Sequence, residues 1–283
     1  MGHRLKILIE WNEKKMNYFI EGIQGSGKST MVSRLSERYP DYHVFKEGFY
    51  SPVELAWCAY VDEETCQELL KKYPDLDLEA NTYPEEDKRI ICYTRIKTQN
   101  HDFYRELEQY EIYNDRKPLA EFSSIILNRY ERWNGNDSIF ECSLFQNIVE
   151  ELILYKQLSD DEILSFYRKI RRVLTGKDFR ISYLKTDDVS KTIGHIRKER
   201  IDEQGEEIWY QMLCEYFNAS PYALKHGLKE EDGIIRHLKH RQELELKICE
   251  ELFPAQSIIL DSKNYDTEIW DRLNDHAMIR GKL

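Results

Sequence analysis

Apolar residues gather in five short runs, at 17–21, 42–46, 138–142, 180–185 and 256–261, and helical patterns separate them. Compact apolar runs of this length read as strands buried on both faces. Their alternation with helices predicts a parallel sheet covered on both sides. Ligands of such sheets bind beyond the carboxyl ends of the strands, where Glu47, Glu141 and Asp261 fall. The patterns at 144–174 and 229–252 predict two further long helices. Residues 62–118, acidic and then mixed, with Pro74, Pro84 and Pro118 as punctuation, predict a helical insertion. The stretch RHLKHRQE, which holds His237 and His240, reads as a solvated helix face. Residues 1–15 stand apart as an N-terminal extension, and 16–283 are expected to form a single domain.

The segment MNYFIEGIQGSGKSTMVSRL, residues 16–35, carries the strongest chemical signal. Gly22 to Ser29 spells Gly-x-x-x-x-Gly-Lys-Ser, the phosphate-binding P-loop pattern. The apolar Tyr18-Phe19-Ile20 precedes it, and a helical pattern through Met31, Val32 and Leu35 follows. Gly22, Gly25 and Gly27 allow a tight turn and close approach of an anion. Amides of the loop and of the first helical turn would point at the phosphates, with the helix dipole adding to the field. The expected nucleotide-binding residues are Gly22, Gln24, Gly25, Ser26, Gly27, Lys28, Ser29 and Thr30. Lys28 would reach the outer phosphates, and the Ser29 hydroxyl would hold Mg²⁺. The fold class is thus α/β, a P-loop NTPase-type three-layer fold with a five-stranded parallel sheet.

Charge and cysteine usage narrow the context. The formal charge of −11 argues against a broad nucleic-acid surface, though a small basic pocket remains compatible with it. Six cysteines without a Cys-x-x-Cys pair in a chain of 283 residues read as reduced thiols of a cytoplasmic protein. No apolar run has the length of a membrane span, and LKILIEW is too short and too charged at its end for a secretion signal. The histidines offer no metal-site spacing.

FIEGIQGSGKST resembles the P-loop of the deoxynucleoside kinase and thymidylate kinase group, in which Ile-Glu-Gly commonly opens the motif. Four further stretches agree in order. KEGFYSPVELAW at 46–57 is similar to the segment after strand two, and IFECSLFQN at 139–147 to the Glu-Arg-Ser segment ending strand three. Residues 181–207 resemble strand four and a basic lid, and IILDSKNYD at 258–266 resembles strand five and the loop beside the adenine. The resemblance covers most of 16–266. It implies ATP and Mg²⁺ as cofactors and a small-molecule acceptor as partner. Members of that group are often homodimers, which is the association it implies here.

The resemblance also implies roles. Glu47 would be the general base for the acceptor hydroxyl. Glu141 would lie beside the P-loop, holding Mg²⁺ through water or orienting a basic group. In a lid at about 191–207, Lys198 and Arg200 would neutralise the transferring phosphoryl group, and Glu203 would meet the acceptor. Trp57 and Arg129 would contribute to the acceptor pocket. Two positions depart from the group: Cys142 stands where an arginine is expected, and Phe122 where a base-reading glutamine is common. A thiol and a phenyl ring offer neither a guanidinium fork nor an amide's paired donor and acceptor. The expected activity is therefore a kinase acting on a nucleoside or nucleoside-like hydroxyl. Two readings stay open beside it. One is a thymidylate-type monophosphate kinase, for which Arg95 and Arg129 are the phosphate contacts to nominate. The other is a nucleotide-binding regulator without an acceptor.

Overall fold

A computed structural model describes residues 16–263. The N-terminal extension at 1–15 and the last three residues of the 258–266 stretch lie outside the described residues. In chain order, β1 (Asn17–Glu21), α1 (Lys28–Arg38) and β2 (His43–Phe45) come first. Next are β3 (Ala59–Asp62), α2 (Glu63–Lys72), β4 (Thr82–Glu85), β5 (Lys88–Ile91) and α3 (His101–Glu108). Then α4 (Leu119–Arg132) leads to β6 (Ser138–Glu141), and α5 (Gln146–Glu150) continues into a π-helical turn at Glu151–Tyr155. After α6 (Asp160–Val173) come β7 (Phe179–Lys185), α7 (Val189–Glu199), α8 (Ile208–Ala219), α9 (Pro221–His226), α10 (Glu230–Leu252) and β8 (Ser257–Asp261).

The main sheet has the order β2-β6-β1-β7-β8, and every neighbouring pair is parallel. Its members are the five apolar runs. Alternation along each strand sorts side chains into two cores. On one face Tyr18, Ile20, Ile139, Leu184, Ile258 and Leu260 pack with Met31, Val32 and Leu35 of α1. On the other, Phe19, Phe140, Ile181 and Tyr183 pack with α4, α5, α6 and α10. The Phe19 ring stacks on Phe140 at 4.8 Å, which joins β1 to β6 through side chains as well as amides.

The insertion differs from its expectation. Besides α2 and α3 it holds an antiparallel sheet in the order β3-β5-β4. Tyr60, Val61, Tyr83, Ile90 and Ile91 are aromatic or β-branched, which suits strands. The turn at Glu86-Asp87 lacks the Asn-Gly or Asp-Gly signature of a tight hairpin, although Glu86 has the positive φ (51°) such a turn requires. Pro84 sits on β4, an edge strand, where its missing amide costs no ladder bond. The predicted helix at 144–174 is also broken. Ser159 caps α6 through a reciprocal capping box with Glu162, so a new helix begins there. By contrast α10 spans the predicted segment almost completely. Among the described residues, no helix is long and apolar enough to cross a membrane.

Candidate functional site

Between β1 and α1 the backbone follows the glycines. Gly22, Gly25 and Gly27 have φ of 139°, 78° and 94°, values that side-chain-bearing residues seldom adopt. A Cβ at Gly22 would lie 2.6 Å from the Leu184 carbonyl oxygen, so packing as well as conformation demands glycine there. Lys28 is buried at the start of α1, and its Nζ donates to the carbonyls of Gly22 and Ile23, each at 2.8 Å. The loop thus wraps around its own lysine. The Ser26 hydroxyl is fully buried and has no hydrogen-bond partner.

The carboxyl end of β6 faces this loop. Ser29 Oγ donates to Glu141 Oε1 at 2.5 Å, and Glu141 is 8% exposed. A hydroxyl and a carboxylate at a helix N-terminus are hard oxygen donors of the kind Mg²⁺ takes, and they fit a Mg²⁺–phosphate group. Thr30 is exposed one position on.

Three elements pin the loop from outside. A Cβ on Gly25 would stand 3.1 Å from Thr192 Cγ2 of α7, so α7 is seated directly on the phosphate loop. Ser262, just past β8, donates its hydroxyl to the Ser26 carbonyl at 2.9 Å. Gln24 Oε1 accepts from Arg241 Nη2 at 2.8 Å. Arg241 is fully buried on α10, where it pairs with Glu150 and Glu245. His237 Nε2 lies 3.1 Å from Glu150, and the Tyr183 hydroxyl donates to Glu245 at 2.7 Å. Burial alone would raise the Glu150 carboxyl, but the charges of Arg241 and His237 outweigh it and hold the group down to about 2. Within the stretch read as solvated, His237 and Arg241 thus belong to a buried ionic network, whereas Arg236, Lys239 and Glu243 are exposed. Carboxylates from α5 and from α10 itself offset the cost of burying Arg241.

Glu21 ends β1 beneath the loop. It is fully buried, and burial pushes its carboxyl up to about 8 against the pull of the Leu144 amide and Lys28. Its oxygens accept from the amides of Leu144 at 2.7 Å and Phe145 at 3.2 Å, which fixes the turn from β6 into α5.

Glu47, the expected general base, lies two residues beyond β2. One of its oxygens, Oε1, accepts from both Trp57 Nε1 and Gln146 Nε2, each at 3.1 Å. Trp57 holds this position with φ at 63°, rare for a bulky residue, and it is 45% exposed. Cys142 also has positive φ, 57°, and burial holds its thiol well above the usual range. Nearby, Glu54 accepts from Tyr113 Oη at 2.5 Å and Asn147 Nδ2 at 3.1 Å, and burial raises its carboxyl.

The remaining predicted residues lie as follows. Arg129 is 2% exposed and donates to Glu85 of β4 and to the Ser51 carbonyl, bracing the insertion against α4. Arg200 caps α7, and its guanidinium lies 4.7 Å from the Trp209 ring. Lys198 and Glu203 are exposed. Arg197 is tied to Glu207 and Glu231. Arg95 rests 4.1 Å over the Phe49 ring. Sequence reasoning missed Glu21, Gln146, Glu150, Arg241 and Glu245. Two carried a signal: Glu21, as the glutamate of the Ile-Glu-Gly that opens the loop, and Gln146, as part of the segment that contains Cys142.

Comparison with protein-family models found no match, and comparison with curated proteins found none. Among solved structures, the chain is similar to the YGR205w protein at 14% identity, over 89% of this chain and 87% of that one, with a TM-score of 0.28. It is also similar to D-glycerate 3-kinase from Cryptococcus neoformans var. grubii at 15% identity, over 91% of each chain, with a TM-score of 0.27. The P-loop NTPase-type assignment stands on this chain's own sheet order and phosphate loop.

Proposed function

We propose that this protein is a phosphotransferase that moves the γ-phosphoryl group of ATP to a hydroxyl of a nucleoside or nucleoside-like small molecule. The observation that carries the reading is the pairing of two halves at the carboxyl ends of β1, β2 and β6. One is a phosphate loop built around Lys28, and the other is a carboxylate, Glu47, held through one oxygen.

In this reading, Lys28 exchanges its two carbonyl partners for phosphate oxygens, and the loop amides and the α1 dipole add to that attraction. Ser29 and Glu141 would hold Mg²⁺, which when bound neutralises charge on the phosphates. The second oxygen of Glu47 receives the proton of the attacking hydroxyl. Lys198 and Arg200, at the end of the helix seated on Gly25, supply positive charge when the turn after α7 closes. A monophosphate acceptor fits less well, because Arg129 is committed to Glu85 and Arg95 to Phe49.

The test is incubation with Mg-ATP and a panel of nucleosides, nucleoside monophosphates and nucleoside-like antibiotics, followed by mass spectrometry. A gain of one phosphate on an acceptor, absent in Lys28→Ala, is the expected result. ATP binding without transfer to any member would overturn the reading.

A further inference from the structure

We propose that Gln146 is the positioning residue for Glu47, and that its carbonyl oxygen selects acceptors carrying a second hydrogen-bond donor close to the reacting hydroxyl: polyols, sugars or amino alcohols. The inference rests on the kinase reading and on Glu47 as its base.

Gln146 Nε2 donates to Glu47 Oε1, and this orientation is forced, since an amide oxygen turned toward a carboxylate would be repelled. Its own Oε1 is then buried without a hydrogen-bond partner, on a residue only 7% exposed. A buried carbonyl oxygen left unpaired is costly, and a ligand donor removes that cost. The oxygen belongs to the same amide that touches the base, so the donor it accepts from must lie within a few bonds of the hydroxyl that Glu47 deprotonates.

The residue is also held in place. The amides of Leu144 and Phe145, immediately before it, are fixed by Glu21, and Trp57 holds the same Glu47 oxygen from the other side. Both contacts fall on Oε1, which leaves Oε2 for the acceptor. The two groups that orient Glu47 are a neutral amide and a neutral indole.

The experiment measures transfer from Mg-ATP to paired acceptors that differ by one donor: thymidine and 3′-deoxythymidine, 1,2-propanediol and 1-propanol, 2-aminoethanol and ethanol. Wild-type protein should favour the donor-bearing member by about 10- to 100-fold in kcat/KM, the range set by one unpaired buried polar group. Gln146→Leu should lower kcat on the better acceptor and shrink that preference to about threefold or less. Thermal melting of Gln146→Leu separates this from a folding defect, because a merely structural role would leave the preference intact. Transfer without preference in wild type, or a preference that survives in Gln146→Leu, overturns this inference and leaves the kinase reading standing. ATP binding with no transfer to any acceptor, here or among the nucleosides, overturns both.

Discussion

Ser29 donates its hydroxyl to Oε1 of Glu141 at 2.5 Å, so the first turn of α1 is latched to the end of β6 by a hydroxyl–carboxylate hydrogen bond. Ser29→Ala should remove both the latch and the hydroxyl proposed to hold Mg²⁺. The expected outcome is a loss of about 10-fold or more in transfer, with a higher Mg²⁺ requirement. A Mg²⁺ titration of activity checks it, and an unchanged half-saturating concentration would remove Ser29 from metal binding.

Glu47→Gln keeps the side chain's size and removes its basicity. Transfer should fall by about 10²-fold or more, while ATP affinity measured by calorimetry stays near that of the parent protein. Activity equal to the parent would take Glu47 out of the reaction.

Arg241→Met should act at a distance. It leaves Glu150 and Glu245 buried without their shared cation and releases Gln24 from its anchor. Breaking a buried ion pair from one side costs about 3–5 kcal/mol. A fall in the urea midpoint, together with weaker ATP binding, is expected. A stability loss with unaltered ATP affinity would confine Arg241 to a structural role.

Stability should also depend on pH in a definite direction. Glu21 has its folded value raised to about 8, so the unfolded chain loses this proton near pH 4.5 while the folded chain keeps it. Its contribution is complete below pH 4.5 and is lost as pH rises toward 8, at about 1.4 kcal/mol per unit of separation. Glu150 has the opposite sign: held down to about 2, it stabilises above pH 4.5 and ceases to do so as pH falls toward 2. Urea unfolding from pH 3 to pH 9 should therefore give a maximum on the acidic side of neutrality. Glu21→Gln should flatten the alkaline slope, and an unaltered slope would show that Glu21 does not titrate there.

The five sheet strands were legible because parallel strands buried on both faces leave compact apolar runs, and their observed limits differ from the runs by a residue or two. The phosphate loop was legible because three glycines, a lysine and a serine are each required by local geometry. The antiparallel sheet in the insertion was not, because its β4–β5 turn uses Glu86-Asp87 in place of a glycine-bearing pair. The burial of Arg241 was hidden for a different reason. Glu150, which neutralises it, lies 91 positions away, and nothing local separates such an arginine from a solvated one. Gln146 was hidden for the same reason: the carboxylate it meets, Glu47, lies 99 positions away.

The insertion at about 62–118, with β3 at its entrance and β4 and β5 within it, lies between Glu47 and α4. The phosphate loop and the β6 carboxylate lie outside it, whereas Trp57, Glu111 and Tyr113 belong to this stretch or its margins. In the proposed reading, the donor's loop is thus encoded outside the insertion, whereas the acceptor's surroundings draw on both the insertion and, through Gln146, the start of α5. Lineages could exchange or remodel the insertion, fastened to α4 through Glu85 and Arg129, and acquire a new acceptor while keeping the inherited machinery for handling the donor.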